Sequence, residues 1–349
     1  MGNRMWVWAW IGLFLIGMLP GTVWALENPS DLNHAPLQQP ATATAEPAVH
    51  RIEHETAAWE SVFTLAAGVR RDQLSWTIAG NRNGTDPDVI SELKWSDVDS
   101  YQLQLSNRTL LAERLYLRAQ FGYAWIDDGR VRDSDYSGDH RSGEYSRSIS
   151  ESDDDQLWDV LLGVGSPIFL ADRHVMLAPL LGVSLHRQNF RIRNGRQVLT
   201  YPGGPPLGSL RGLDSTYQSE WFSPLLGCDL RFFIPPVSGF KRMEAGLEFQ
   251  WHWDARFEAE ADWNLRSDFD HPKSFDQNAD GKGVSLCAEW VVWITPQWSV
   301  NVTASYQRWE TDPGRQRFFL ADGRTATTRL NEVDWESNSY MVGVAYQFD

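Results

Sequence analysis

Met243-Glu-Ala-Gly-Leu-Glu-Phe-Gln-Trp-His-Trp-Asp-Ala-Arg-Phe-Glu-Ala-Glu-Ala-Asp262 places Met, Ala, Leu, Phe or Trp at every odd position and a charged, amide, His or Gly residue at every even one. Successive side chains of a strand point to opposite faces, so the run reads as one strand with an apolar face and a polar face. No helix sorts residues this way. At roughly 3.3 Å per residue it spans about 65 Å, whereas a tilted strand of about 9 to 11 residues crosses a bilayer. Strands of soluble sandwiches run to about 5 or 6 residues, so the length points to a barrel that crosses a membrane and stands clear of it.

Outward from this stretch, nine others alternate. They are about Ser61 to Ala79, Ile90 to Ser106, Leu115 to Ile126, Gln156 to Phe169, His174 to Arg193, Tyr217 to Phe233, Lys282 to Ile294, Trp298 to Glu310 and Asn338 to Phe348. The shorter links are Asn107 to Arg114, Leu170 to Arg173, Ile234 to Phe240 and Thr295 to Gln297. They alternate with longer ones such as Asp127 to Asp155, Asn194 to Thr216, Trp263 to Gly281 and Thr311 to Ser337. Short periplasmic turns alternating with long extracellular loops are the rule for outer-membrane barrels. The expected fold is therefore all-β: a transmembrane antiparallel up-and-down β-barrel of about ten strands, protruding on the extracellular side, with both termini in the periplasm.

The rest of the chain fits export. Arg4, the apolar run Met5 to Leu19 and Val23-Trp24-Ala25 read as a signal peptide over residues 1–25. Residues 26–60, rich in Pro, Ala, Thr and His, read as a flexible periplasmic leader, and residues 61–349 as the barrel. No later stretch reaches the roughly 18 apolar residues of a membrane helix, so any crossing is made by strands. The mean hydropathy of -0.40 is what alternation averages to, and 18 Trp suit interfacial girdles. A net charge of -15 argues against nucleic acid and for cations or basic peptides as partners. Cys228 and Cys287 are read on opposite faces with a strand between them, so no disulfide is expected.

Residues able to carry chemistry gather in the long links. Asp133 and Asp135 are two apart and share a face if extended; paired carboxylates hold one proton between them or orient a water. Arg266-Ser-Asp268-Phe-Asp270-His271-Pro272 supplies a His beside carboxylates, the make-up of a general base. His252 and Asp254, with Glu244, Glu248, Arg256, Arg118 and Glu289, are read as a packed ionic network inside the lumen, which leaves no open pore. Asp276, Asn278 and Asp280, followed by Gly281, match the first half of a calcium loop, but Cys287 stands where the bidentate Glu belongs, so the segment is read as a turn and no metal or cofactor is expected.

With strands and loops placed, the chain resembles the omptin family of outer-membrane proteases. The carriers are Ser91-Glu-Leu-Lys-Trp95, Asp133-Ser-Asp135-Tyr136, Gly182 to Gly195, Tyr217 to Leu230, Ile294-Thr-Pro296 and the terminal Tyr340 to Phe348. The resemblance implies a surface endopeptidase in which an Asp-x-Asp pair and an Asp-x-His pair share a water, with Asp133 and Asp135 as the first pair. The second departs: Ala261-Asp262-Trp263 stands at the top of the long strand, and the nearest His is His271, supported by Asp268 or Asp270. The resemblance further implies contact of Arg187, Arg191 and Arg193 with lipopolysaccharide phosphates, and a C-terminal strand read by the barrel-assembly machinery. The other expectation is an omptin-like barrel without activity, serving as a structural, adhesive or binding surface.

Overall fold

The computed structural model describes residues 59–235 and 242–348. The expected signal peptide and most of the leader lie outside them; Trp59 and Glu60 already belong to the first strand. The strands are β1 (Trp59–Ile78), β2 (Ser91–Leu111), β3 (Leu115–Gly138), β4 (Ser142–Ser152), β5 (Gln156–Gly165), β6 (Ile168–Leu170) and β7 (Val175–Leu199). There follow β8 (Gly208–Ser209), β9 (Asp214–Ile234), β10 (Arg242–Asp262), β11 (Phe275–Trp293), β12 (Trp298–Thr311), β13 (Gly314–Phe319) and β14 (Thr325–Phe348). All pairings are antiparallel, and β14 returns to β1 from Ser61 opposite Phe348 to Ile78 opposite Leu330, which closes the sheet. β4 and β5 both lie between β3 and β7, and β12 and β13 both lie between β11 and β14. Each pair is one stave in two pieces, and the barrel has the ten staves expected.

The staves are longer than the sequence suggested. Asp127 to Asp155, read as a loop, is a hairpin: β3 continues to Gly138 and β4 returns from Ser142. Thr311 to Ser337 is likewise β13 and the first part of β14. These segments are polar outside and carry few apolar residues inside, so their alternation is faint.

β10 holds a reversal that its sequence hides. Leu247, Phe249, Trp251 and Trp253 are exposed on the outside, whereas Ala255, Phe257, Ala259 and Ala261 are buried inside. The register with β11 slips between His252 and Ala255, and that with β9 between Trp251 and Arg256. This bulge turns Trp253 and Asp254 outward together and inverts the faces above it. The physical demand inverts at the same level. Lipid requires apolar groups outside; water requires them inside. Asp254 and Arg256, both expected in the lumen, therefore lie on the outer face.

Below the bulge, Leu65, Leu181, Val302, Tyr340 and Val342 form part of an exposed apolar belt. Toward the turns it is edged by the contacting rings of Trp298, Tyr346, Phe348 and Phe63. Inside, the turn end is filled by ions: Arg118 meets Asp229 and Glu248, Arg231 meets Glu248 and Glu289, and Arg108 meets Glu289. Higher up, Arg70 joins Asp72 and Asp159, and His186 Nδ1 lies 2.7 Å from Asp159. Above these an aromatic layer closes the lumen, with Trp309, Trp335, Trp221, Phe257, Trp95, Tyr217 and Phe275 all fully buried. Cys228 and Cys287 are free, with β10 between their strands, as expected.

Candidate functional site at the loop rim

On β3, Asp133 and Asp135 share the inward parity of Val131, which is buried in the aromatic layer. Asp133 pairs across the sheet with Leu93 on β2 and Ser148 on β4; Asp135 pairs with Ser91 and Ser146. The two carboxyls thus stand on the floor of the rim, above packed rings. Burial, with the neighbouring Asp135 charge, pushes Asp133 up to about 8, against the opposing pull of Arg266. Burial also raises Asp135, against hydrogen bonds from Ser91 and Ser146 and the charge of Arg266. Each carboxyl therefore holds its proton more firmly than a free aspartate does.

The cation beside this pair is Arg266. Its guanidinium is clamped by Asp268 through two hydrogen bonds of 2.9 and 2.8 Å and lies over the ring of Phe269. Its proton is held more firmly first by Asp268 and then by the charges of Asp135 and Asp133. Tyr145 on β4 completes the wall: burial and the Asp135 charge raise its hydroxyl, and its ring stands edge to face with Tyr201 at 5.3 Å. Glu144 is held by Arg147.

His271 is engaged elsewhere. Residues 263–274 fold back on the end of β10, with Ser274 N donating to Ala261 O at 2.7 Å and Trp263 N to Ser274 Oγ at 2.9 Å. This brings His271 Nδ1 to 2.6 Å from Asp262 Oδ1. The expected support from Asp268 or Asp270 is not formed: Asp268 holds Arg266, and Asp270 accepts the backbone N–H of its own neighbour His271. Spacing alone does not assign these roles to Asp262 and Arg266; only the fold-back of the loop pairs residues nine apart.

The remaining expectations are also placed. Arg187, Arg191 and Arg193 lie on the outward parity of β7, but Asp214 clamps Arg191 at 2.5 and 2.7 Å, and Asp153 and Asp154 hold Arg193 at 3.0 Å. Arg187 meets Gln218 and stands opposite Glu220. Asp276, Asn278 and Asp280 are not in a turn but on the outward face of β11, where extended backbone spaces alternate residues too widely to wrap an ion, and Asp276 is taken by Arg317. Among the described residues no cluster of three or more His, Cys, Asp or Glu side chains is arranged to hold a metal.

Solved structures similar to this chain include three outer-membrane proteins. The outer-membrane protease OmpT of Escherichia coli superposes with a TM-score of 0.69 at 13% identity, covering 84% of this chain and 99% of that one. The translocator domain of the autotransporter NalP from Neisseria meningitidis gives 0.31 at 11% identity over 85% and 90% of the two chains. Ail of Yersinia pestis gives 0.26 at 11% over 82% and 99%. The likeness to OmpT concerns the fold alone, and the other two carry no argument. No curated protein matches. The family model described as Pom, Protochlamydia outer membrane protein, matches residues 64–348, and the chain, an outer-membrane β-barrel, belongs to that family.

Proposed function

We propose that this protein sits in the outer membrane of a Gram-negative bacterium with its loop rim extracellular, and that the rim binds cationic peptides without cleaving them. The observation that carries this reading is the placement of Arg266 beside Asp133 and Asp135. A water-activating base must accept a proton, and a guanidinium has no acceptor and stays charged at any physiological pH. The cation instead satisfies an anionic floor, and an incoming Lys or Arg side chain would compete for the same floor. Tyr145 and Tyr201 supply aromatic faces for such a group. Folding into the membrane would use the terminal strand ending at Phe348 for the assembly machinery, and Arg187 is the arginine of the three with no carboxylate clamp to keep it from lipopolysaccharide phosphates.

A second reading, endopeptidase activity, is favoured by the Asp262–His271 contact, which restores a carboxylate–imidazole pair at the top of β10. Titration of the refolded protein, with lipopolysaccharide present, with a fluorescent Lys/Arg-rich peptide separates the two. Saturable binding of intact peptide, lost in Asp133→Asn/Asp135→Asn, supports the binding rim; no binding, or loss of intact peptide, overturns it.

A further inference from the structure

A strand edge stands open at the rim. Ser142-Gly-Glu-Tyr-Ser146, the upper part of β4, has β3 on one side, from Gly138 opposite Ser142 to Asp135 opposite Ser146. On the other side β7 takes up β4 only from Arg147, opposite Leu199. Among the described residues no backbone hydrogen bond joins 142–146 to the 200–207 link that follows β7. Three prolines keep that link from filling the gap, because Pro202, Pro205 and Pro206 have no N–H to give to a ladder. The link closes on itself instead, with Gly204 N donating to Tyr201 O at 2.9 Å, and a Cβ placed on Gly203 would meet nothing within 4 Å. An unpaired strand edge is a template for another extended chain.

The register puts this edge beside the acid pair. Leu93, Asp133 and Ser148 form one cross-strand row, which Gln197 of β7 completes. Ser91, Asp135 and Ser146 form the next row on that face, and it ends at Ser146. A residue added opposite Ser146 would project to the same face as Asp135, two strand spacings or about 10 Å away, a distance that an Asp and an extended Lys or Arg side chain span together. A bulge leaves Tyr145 unpaired between Ser146 and Glu144, and bulges beside sites re-aim a side chain. Its ring meets Tyr201 of the link at 5.3 Å.

We propose that the cationic peptide is held as an added strand, antiparallel to Ser142–Ser146 of β4, with a Lys or Arg opposite Ser146 facing Asp135. The proposal rests on the peptide-binding reading of the rim and adds that the peptide backbone is read together with its charge. Charge selects the occupant: a neutral or acidic strand could pair with the edge but would leave the floor to Arg266.

The refolded protein, with lipopolysaccharide present, is titrated with a short fluorescent peptide carrying Arg at every second position, so that a slip of one residue turns every Arg away from the floor. Two derivatives of equal charge are titrated beside it, one N-methylated at the Arg amides and the other at the amides between them. An added strand gives only alternate N–H groups to its neighbour, so one derivative is expected to bind about tenfold more weakly than the other. Amide exchange in Ser142–Ser146 is expected to slow when the unmethylated peptide binds. Equal affinity of the two derivatives, or unchanged exchange at the edge, with binding still lost in Asp133→Asn/Asp135→Asn, would overturn the added strand while the binding rim stands. No binding of the unmethylated peptide would overturn the rim reading and the added strand with it. Exchange at the edge that slows with protein concentration alone would assign the edge to a second copy and overturn the proposal.

Discussion

The imidazole of His271 lies 2.6 Å from the carboxylate of Asp262, while the cation next to Asp133 and Asp135 is Arg266. Acid pair and imidazole thus have separate partners. The His271 and Asp262 side chains are 40% and 25% exposed, and an ion pair so open to water is worth at most about 1 kcal/mol. His271→Ala should therefore leave the urea midpoint of the folded barrel nearly unchanged and leave basic-peptide affinity unaltered.

Arg266→Ala removes the internal cation and leaves the acid pair to an external one. Affinity for a Lys/Arg-rich peptide should rise about tenfold, equivalent to about 1.4 kcal/mol, and Asp133→Asn/Asp135→Asn should lower it by at least as much. Calorimetric titration of the three proteins checks both directions; weaker binding by Arg266→Ala would mean that the guanidinium orients the ligand instead of competing with it.

Asp133 binds its proton more tightly in the folded rim than in the unfolded chain, because burial and Asp135 oppose its charge. Its stabilising effect is complete below the ordinary aspartate value near pH 4 and is lost as pH rises through about 8. Amide exchange in β3 and β4 at the rim, corrected for the intrinsic pH dependence, should be faster at high pH than in weak acid, and Asp133→Asn should flatten that difference.

Glu289 takes ion pairs from both Arg108 and Arg231 and a hydrogen bond from Asn301. Glu289→Ala removes a carboxylate that Arg108 and Arg231 share and leaves both on Glu248 alone, which should cost about 3 kcal/mol. Glu289→Gln, which keeps the hydrogen-bonding shape, should cost less. Folding free energies from urea titration in detergent order the two.

Deletion of Asp254 removes the extra residue of the β10 bulge and leaves plain alternation, with Trp253 outward and Ala255 and Phe257 still inward, so the heat-modifiable folded band should persist on electrophoresis. Insertion of one residue after Asp254 would instead turn Arg256, Glu258 and Glu260 onto the buried rings and expel Phe257, and the band should disappear. Phe257→Ala, which leaves the register intact, should still fold and lose about 3 to 5 kcal/mol.

The sequence carried the ten staves because the membrane belt needs strict alternation, and Leu247, Phe249 and Trp251 are exposed on the outside as read. It misplaced Arg256 because a bulge changes the face without changing the order of residue types. It took the rim hairpins for loops because strands standing in water need only one weakly apolar side; Gly138 to Ser152 shows little else. Asp133 and Asp135 were legible as a pair from their spacing. Their cation was not, since Arg266 reaches them from a loop whose path is set by the fold-back onto Ala261 and Trp263.

The most direct measurement is mass spectrometry of a peptide library, incubated with the refolded protein and lipopolysaccharide, before and after capture of bound peptides. Enrichment of intact Lys/Arg-rich peptides, absent with Asp133→Asn/Asp135→Asn, is the expected result. New peptide termini that appear with the native protein and vanish with His271→Ala or Asp135→Ala would contradict a rim that binds without cleaving.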